Sequence, residues 1–320
     1  METGRVSDII YARSVENKII RQRVDLPEAS GEIRIRMFSE SFCGHFHDAG
    51  KRAVIYASNE ILAGGFKPVG VALSLMIPER LSEKKMSDII AQADGACERY
   101  FGIYPDEIKV FTDDNLSDPC RVTMTVSVAA VPLTENEVLA PAEGYDVVIA
   151  GWIAMDEVSD VAIRHSEKLK ERLPASLVDR ASAFSDCLSV EPYVKSTLKY
   201  AADHSRPVFM QAVSDRGILC DLWRFAEKYD LGLKADGRSI PVLQEIIEIC
   251  EFFDVDPYRM ESAGALLIAA EDGEELAGYL SDAGYNAQVI GKLTGDNDRV
   301  VMMDEEYRYL EPYRGGRKKI

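Results

Sequence analysis

Two adjacent glycines and a nearby proline divide residues 56–77 into two different elements. Up to Gly64-Gly65 the residues are predicted to form a helix, and after Pro68 the apolar run 69–77 predicts a buried strand. Glycine supplies the backbone freedom for a helix stop, and proline lacks an amide donor, so we expect a turn at Lys67-Pro68. This helix-then-strand segment constrains the first half of the chain to an α+β arrangement.

Asn59 and Glu60 form an adjacent polar pair on that helix and can face a ligand. Two interpretations of Glu60 stay open with equal weight. It is either a solvated carboxylate on a helix surface or a ligand for a metal ion.

Periodic patterns predict further elements in the first half. Residues 32–37 alternate apolar and polar side chains, which indicates a half-buried strand with Ile33, Ile35 and Met37 on its buried face. Residues 121–131 alternate in the same way. Ser82 and Gly102 are typical of the two ends of one amphipathic helix.

A polar stretch bounded by two prolines, residues 132–141, predicts a domain junction. We therefore expect an N-terminal domain over 1–133 and a C-terminal domain over 134–320. The second half alternates strand and helix patterns, including long helices near 155–172 and 190–204, which favours an α/β sandwich. A further helix is predicted to begin at Pro241.

The chain has 320 residues and a formal net charge of −17, which argues against a nucleic-acid or anionic-membrane partner because phosphates need a positive face. No apolar run approaches the roughly 20 residues that a membrane span needs. The first residues lack the basic and apolar regions of a signal peptide, so we expect a cytoplasmic protein.

Six scattered cysteines without Cys-x-x-Cys spacing argue against a disulfide framework or a structural zinc site, and we expect most of them to be buried thiols in a reducing compartment. One cluster is unusual, since Cys43, His45, His47 and Asp48 fall within six residues. Thiolate and imidazole are ligands for zinc and other transition metals. The alternative is an ordinary polar segment, because a His-x-His pair supplies no fourth ligand.

Three segments resemble the AIR-synthase-related (PurM-like) superfamily, and within it the hydrogenase-maturation HypE-like branch. They are residues 53–68 with the following strand, residues 239–257, and residues 262–294, which keep the order and spacing of the family. The resemblance covers roughly residues 50–312.

The resemblance implies a two-domain chain that dimerises through N-terminal mixed sheets, which together form a β-barrel core. It implies ATP and Mg²⁺ as cofactors, and phosphorylation of an amide or carboxylate oxygen as the chemistry. Such an enzyme is dehydratase-like or ligase-like, and the resemblance implies another maturation protein as a partner.

The same resemblance implies cofactor-binding residues, although the glycine-rich N-terminal loop of the family has no counterpart. The positions that match the family motifs are Asn59, Glu60, Asp113, Asp114, Asp215 and Gly217. Three of them, Glu60, Asp114 and Asp215, would also hold the metal. Turn formation is the alternative for Asp113-Asp114, and helix capping is the alternative for Asp215.

Two functions from different classes therefore remain. The first is an ATP-using HypE-like enzyme with altered ligands. The second is a non-catalytic relative that keeps the dimer and acts as a binding or scaffold subunit. In the HypE-like branch, the substrate is a thiocarboxamide on the C-terminal cysteine of the protein itself. The last cysteine of this sequence, Cys250, lies far from the final residue, so we expect that this self-modification does not run in the usual way.

Overall fold

The structure, a computed structural model, describes residues 4–5, 35–45, 47–113, 121–133, 140–214 and 216–312. The chain divides into two compact units, residues 1–136 and 137–320. The sequence-based boundary between 133 and 134 stays a prediction, because residues 134–139 are outside the described ones. Mixed α and β structure occurs in both units, as the sequence predicts.

In the described residues, the first unit is a five-stranded sheet with two helices. Its strands follow the order β1-β4-β3-β5-β2 and all neighbours are antiparallel except β3 and β4. The strands are β1 (Gly4–Arg5), β2 (Arg36–His45), β3 (Phe66–Pro78), β4 (Glu107–Asp113) and β5 (Arg121–Pro132). The helices are α1 (Ala49–Ala63) and α2 (Glu83–Phe101).

Both helices pack on one face of this sheet and on each other. The face under them carries the apolar positions of β3 and β5, including Leu73, Leu75, Val126 and Val128, all nearly inaccessible. The alternation predicted over 121–131 is therefore confirmed. The caps of α2 are also confirmed, because the Ser82 side chain accepts from the Lys85 amide and Gly102 adopts a left-handed φ of 69°.

Two expectations for this unit are wrong. The turn lies at Gly64-Gly65, where Gly65 has a φ of 75°, and Pro68 lies inside β3 at a register shift rather than in the turn. A proline fits there because a bulge already interrupts the ladder of hydrogen bonds. The face of β2 that was expected to be buried is open instead, with Ile35 52% and Met37 65% exposed.

The second unit is a seven-stranded mixed sheet of order β12-β11-β8-β10-β6-β9-β7. Only the β8–β11 pair is parallel. The strands are β6 (Asp146–Ala150), β7 (Val208–Ala212), β8 (Gly232–Asp236), β9 (Leu266–Ala270), β10 (Ala287–Thr294), β11 (Arg299–Met303) and β12 (Glu306–Tyr309).

Seven helices accompany this sheet in the part of the chain that the structure describes: α3 (Met155–Arg164), α4 (Ser166–Lys170), α5 (Ala175–Ala183), α6 (Glu191–His204), α7 (Ile218–Glu227), α8 (Gln244–Phe253) and α9 (Gly273–Asp282). The single helix predicted over 155–172 is wrong, because the helix is interrupted at His165, between α3 and α4. The helix predicted from Pro241 begins only at Gln244.

The described cysteines are all free thiols. Cys97 and Cys250 are buried as expected, and burial raises the pKa of Cys250 to about 12. Cys220 is buried as well, whereas Cys43 and Cys187 are exposed, so most of the described cysteines are buried, as expected. Among the described helices, none combines the length and hydrophobicity needed to cross a membrane.

Candidate functional site

Loops that carry polar groups lie together at one end of the strands of the second sheet. The last residues of β6 and β7, Ala150 and Ala212, both pair with Leu266 at the start of β9. The segments that follow β6 and β7 and the segment that precedes β9 therefore meet at this end. They bring together residues 151–157, 213–214 with 216–221, and 260–265.

Ser262, in the segment before β9, forms hydrogen bonds with the other two segments. Its hydroxyl accepts from the Ala154 amide at 2.8 Å and donates to the Met260 carbonyl at 2.8 Å, and its own amide donates to the Ser214 carbonyl at 3.1 Å. The side chain is fully buried. Ala154 has a left-handed φ of 61° and precedes the first turn of α3, so this hydrogen bond holds a conformation that alanine rarely adopts.

Two carboxylates lie in the first turn of α3, at Asp156 and Glu157, and both are buried. The Glu157 amide donates to the Glu261 carbonyl at 3.3 Å, and the Glu157 carboxylate accepts from the Glu261 amide at 2.9 Å. This reciprocal pair closes the amino end of α3 with groups of the chain itself.

Asp221 is the fully buried charged side chain of α7 and fixes the loop before that helix. Its carboxylate accepts from the Ser214 amide at 2.7 Å, from the Ser214 hydroxyl, and from Arg224 Nη1 at 3.0 Å. Burial raises the pKa of Asp221, against the lowering effect of the Ser214 and Arg224 hydrogen bonds. Sequence reasoning missed Asp221, although an acidic residue inside an apolar helix stretch was a signal.

Polar groups of the first unit lie at the junction of β2 and α1. Asp48 accepts from Arg52 Nε at 2.6 Å and lies 3.2 Å from His47 Nε2. Burial alone would raise the pKa of Asp48, but the His47 hydrogen bond and the Arg52 charge outweigh burial and hold that pKa below its usual range. The carboxylate is therefore ionised at neutral pH.

Comparison with known proteins connects both units to one family. Residues 158–304 match the family model for the C-terminal domain of AIR synthase related proteins. A putative hydrogenase expression/formation protein of Methanocaldococcus jannaschii is 22% identical over 80% of this chain and 73% of its own length. The carbamoyl dehydratase HypE of Rhodobacter capsulatus is 21% identical over 80% of this chain and 73% of its own length. Residues 158–304 therefore match the C-terminal domain of AIR synthase related proteins, and most of the chain is similar to HypE-like proteins.

Solved structures share the fold of this HypE-like chain. Escherichia coli HypE, a hydrogenase maturation protein, superposes with a TM-score of 0.71 at 17% identity, covering 96% of this chain and 95% of the other. HypE in complex with ATP gives a TM-score of 0.72 at 15% identity over 98% and 96% of the two chains. HypE in a complex with HypF gives 0.68 at 19% identity over 95% and 98%.

The sequence-predicted site residues of the HypE-like chain fall in both units. In the first unit, Asn59 is 2% exposed on α1, Glu60 follows it half-buried, and Asp113 ends β4 opposite Pro78 of β3. Gly217 belongs to the second unit. Asp114 and Asp215 lie outside the described residues, so their roles stay predictions.

Gly217 has a structural reason to be glycine. Its φ is 80°, and a Cβ atom there would lie 2.8 Å from the carbonyl carbon of Arg259 and 2.9 Å from its Cα. The space beside Gly217 is therefore filled by the backbone of the chain. Glycines that cradle a phosphate leave that space open for the ligand, so this packing does not support the nucleotide contact predicted for Gly217.

The described residues fit Mg²⁺ and ATP poorly. A phosphate at a helix end needs free amides and no competing negative charge, whereas the amino end of α3 has its Ala154 and Glu157 amides bound and two acidic side chains in its first turn. Within either unit taken by itself, the described part of the chain brings no three His, Cys, Asp or Glu ligand atoms within 4.8 Å of one another.

Proposed function

We propose that this HypE-like chain is a non-catalytic, dimeric binding or scaffold subunit in the maturation of a metal enzyme. The observation that carries this proposal is the closed amino end of α3. There Ser262 accepts from the Ala154 amide, Glu261 accepts from the Glu157 amide, and Asp156 and Glu157 add negative charge. A triphosphate would have to break these contacts and approach two carboxylates, which costs more than it gains.

The kind of partner follows from the relatives. One solved HypE structure of the same fold is a complex with HypF, so a second maturation protein is the partner that we propose for this chain. The net charge of −17 suits a partner that presents a basic surface, because opposite charges raise the rate of encounter.

An ATP-dependent activity is the second candidate, and the likeness to ATP-bound HypE favours it. In that case Glu60, Asp113, Asp114 and Asp215 would hold Mg²⁺–ATP, and Asn59 and Gly217 would contact the nucleotide. The reaction would be the activation of an amide or carboxylate oxygen, in the manner of a dehydratase or a ligase.

Calorimetric titration of ATP into the full chain, with and without Mg²⁺, separates the two candidates. We expect no binding at millimolar ATP, because the Ala154 and Glu157 amides at the amino end of α3 are already bound and two carboxylates lie in its first turn. Magnesium-dependent binding near the micromolar range that disappears in Glu60→Ala, with that variant still folded, would establish the ATP-dependent candidate instead.

Dimerisation through the first unit is a separate prediction. The apolar face of its sheet is covered by α1 and α2 of the same chain, so burial of that face does not require a second copy. The opposite face remains open and exposes Met37 (65%), Met76 (39%) and Phe111 (37%) among small and hydroxyl side chains. That face is the one through which we propose that two copies pair.

Light scattering at micromolar concentration is expected to give twice the mass of one chain. Phe111→Glu should shift the mass to that of a single chain, since a charge at the centre of an apolar interface is costly. Tyr309→Glu, at a 70% exposed position on β12 of the other unit, is the matched control and should remain dimeric. A single-chain mass for the unmodified protein would end this proposal.

A further inference from the structure

The turn between β2 and α1 brings two imidazole rings together, with their planes inclined at 47°. His45 is the last residue of β2 and His47 lies in the turn before α1. Their Nδ1 atoms are 2.9 Å apart, and the ring centroids are 5.1 Å apart. Neither the HypE-like fold nor the proposed partner role requires such a pair.

The surroundings fix the His47 ring. Its Nε2 lies 3.2 Å from the ionised Asp48 carboxylate, and its Nδ1 lies against the Nδ1 atom of His45. Asp48 is in turn held by Arg52, whose side chain is only 3% exposed. The His47 carbonyl accepts from Gln92 Nε2 of α2 at 2.8 Å, which anchors the backbone of the turn.

This arrangement matches the support that metal-bound histidines have in proteins. A ligating imidazole commonly donates its other ring N–H to a carboxylate, which sets the tautomer and orients the ring. Two nitrogens that are each about 2.1 Å from one metal ion and meet there at about 90° lie about 3.0 Å apart. The observed Nδ1–Nδ1 distance of 2.9 Å is close to this expected distance between two ligand nitrogens.

We propose that His45 and His47 are neighbouring ligands of a divalent late transition metal ion such as Ni²⁺ or Zn²⁺, bound through their two Nδ1 atoms. On binding, the proton shared in the Nδ1–Nδ1 hydrogen bond moves to a ring Nε2, so that both Nδ1 lone pairs reach the ion. Water molecules complete the coordination sphere, because the described residues supply no third ligand atom close to both imidazoles. Imidazole nitrogen selects this class of ion over Mg²⁺ and Ca²⁺.

The structure corrects the sequence-based ligand set in one respect. Cys43 was a candidate together with the two histidines, but the three do not form a group whose ligand atoms all lie within 4.8 Å of one another. Cys43 is exposed on the open face of β2, two residues before His45. The thiol is therefore outside the proposed site.

Titration of NiCl₂ into the untagged, chelator-treated full chain tests the proposal by calorimetry. We expect one equivalent to bind, Zn²⁺ to compete with it, and Mg²⁺ not to compete. His45→Gln keeps an amide that can hydrogen-bond to His47 but removes one ligand, so binding should be lost. Asp48→Asn removes the carboxylate behind His47 and should weaken binding by about tenfold.

Matched controls make each result decisive. His204→Gln, which removes a histidine of the second unit, and Cys43→Ser should both bind Ni²⁺ as the unmodified chain does. Far-UV circular dichroism checks that His45→Gln and Asp48→Asn are folded. The proposal is overturned if no Ni²⁺ binds, if folded His45→Gln binds it undiminished, or if Cys43→Ser abolishes binding.

Discussion

Replacing Gly151 by alanine is expected to destabilise the second unit by about 4 kcal/mol or more. Gly151 follows β6 with a φ of 94°, and a Cβ atom there would lie 2.5 Å from the Gly264 carbonyl oxygen and 3.1 Å from the Tyr193 ring. The carbonyl belongs to the backbone that leads into β9, so it cannot move aside as a flexible side chain can. The substitution therefore adds a steric clash to an unfavourable φ.

Urea denaturation of the full chain measures this effect. Both tryptophans, Trp152 and Trp223, belong to the second unit, so tryptophan fluorescence follows that unit alone. Gly284→Ala is the matched control, because its φ is 88° and nothing lies within 4 Å of the added Cβ. The control should cost about 1–2 kcal/mol. Equal losses in the two variants would show that the Gly264 contact is unimportant.

Replacing Asp221 by alanine is expected to cost the second unit about 3–5 kcal/mol. The substitution leaves the amide and hydroxyl of Ser214 without their acceptor and removes the partner of Arg224 at the base of α7. Each of these donors has to find water or remain unsatisfied in a buried position. The loop that includes Gly217 should lose its fixed conformation as a result.

The same fluorescence assay measures Asp221→Ala against Asp179→Ala. Asp179 also pairs with a cation, Lys170, but its side chain is 64% exposed, so its loss should cost less than about 1 kcal/mol. Hydrogen exchange at residues 213–220 should rise in Asp221→Ala if the carboxylate fixes the loop. A loss no larger than that of the Asp179 variant would contradict the assigned role.

Local signals in the sequence determined many elements correctly. Ser82 and Gly102 marked the ends of α2, and the strict alternation over 121–131 marked β5, because capping and side-chain alternation depend on neighbouring residues only. The same holds for the family resemblance, which rests on short motifs in a fixed order. Short strands without a clear pattern, such as β8 and β12, were missed.

The errors arose where distant residues decide the conformation. The turn was misplaced onto Lys67-Pro68 because the bulge that accommodates Pro68 depends on pairing with β5, over 60 residues further along the chain. The break at His165 and the exposure of Met37 likewise depend on packing rather than on local propensity. Sequence periodicity carries no information on these contacts.

The sequence by itself determined the mixed α and β class, the superfamily resemblance and the presence of an unusual Cys-His cluster. Only the tertiary structure decided which contacts the described residues of these segments make. Gly217 proved to be packed against Arg259, the amino end of α3 proved to be closed by Ser262 and Glu261, and the two histidines proved to face each other without Cys43. The physical reason is that a residue type fixes which contacts are available, whereas long-range packing determines which of them form.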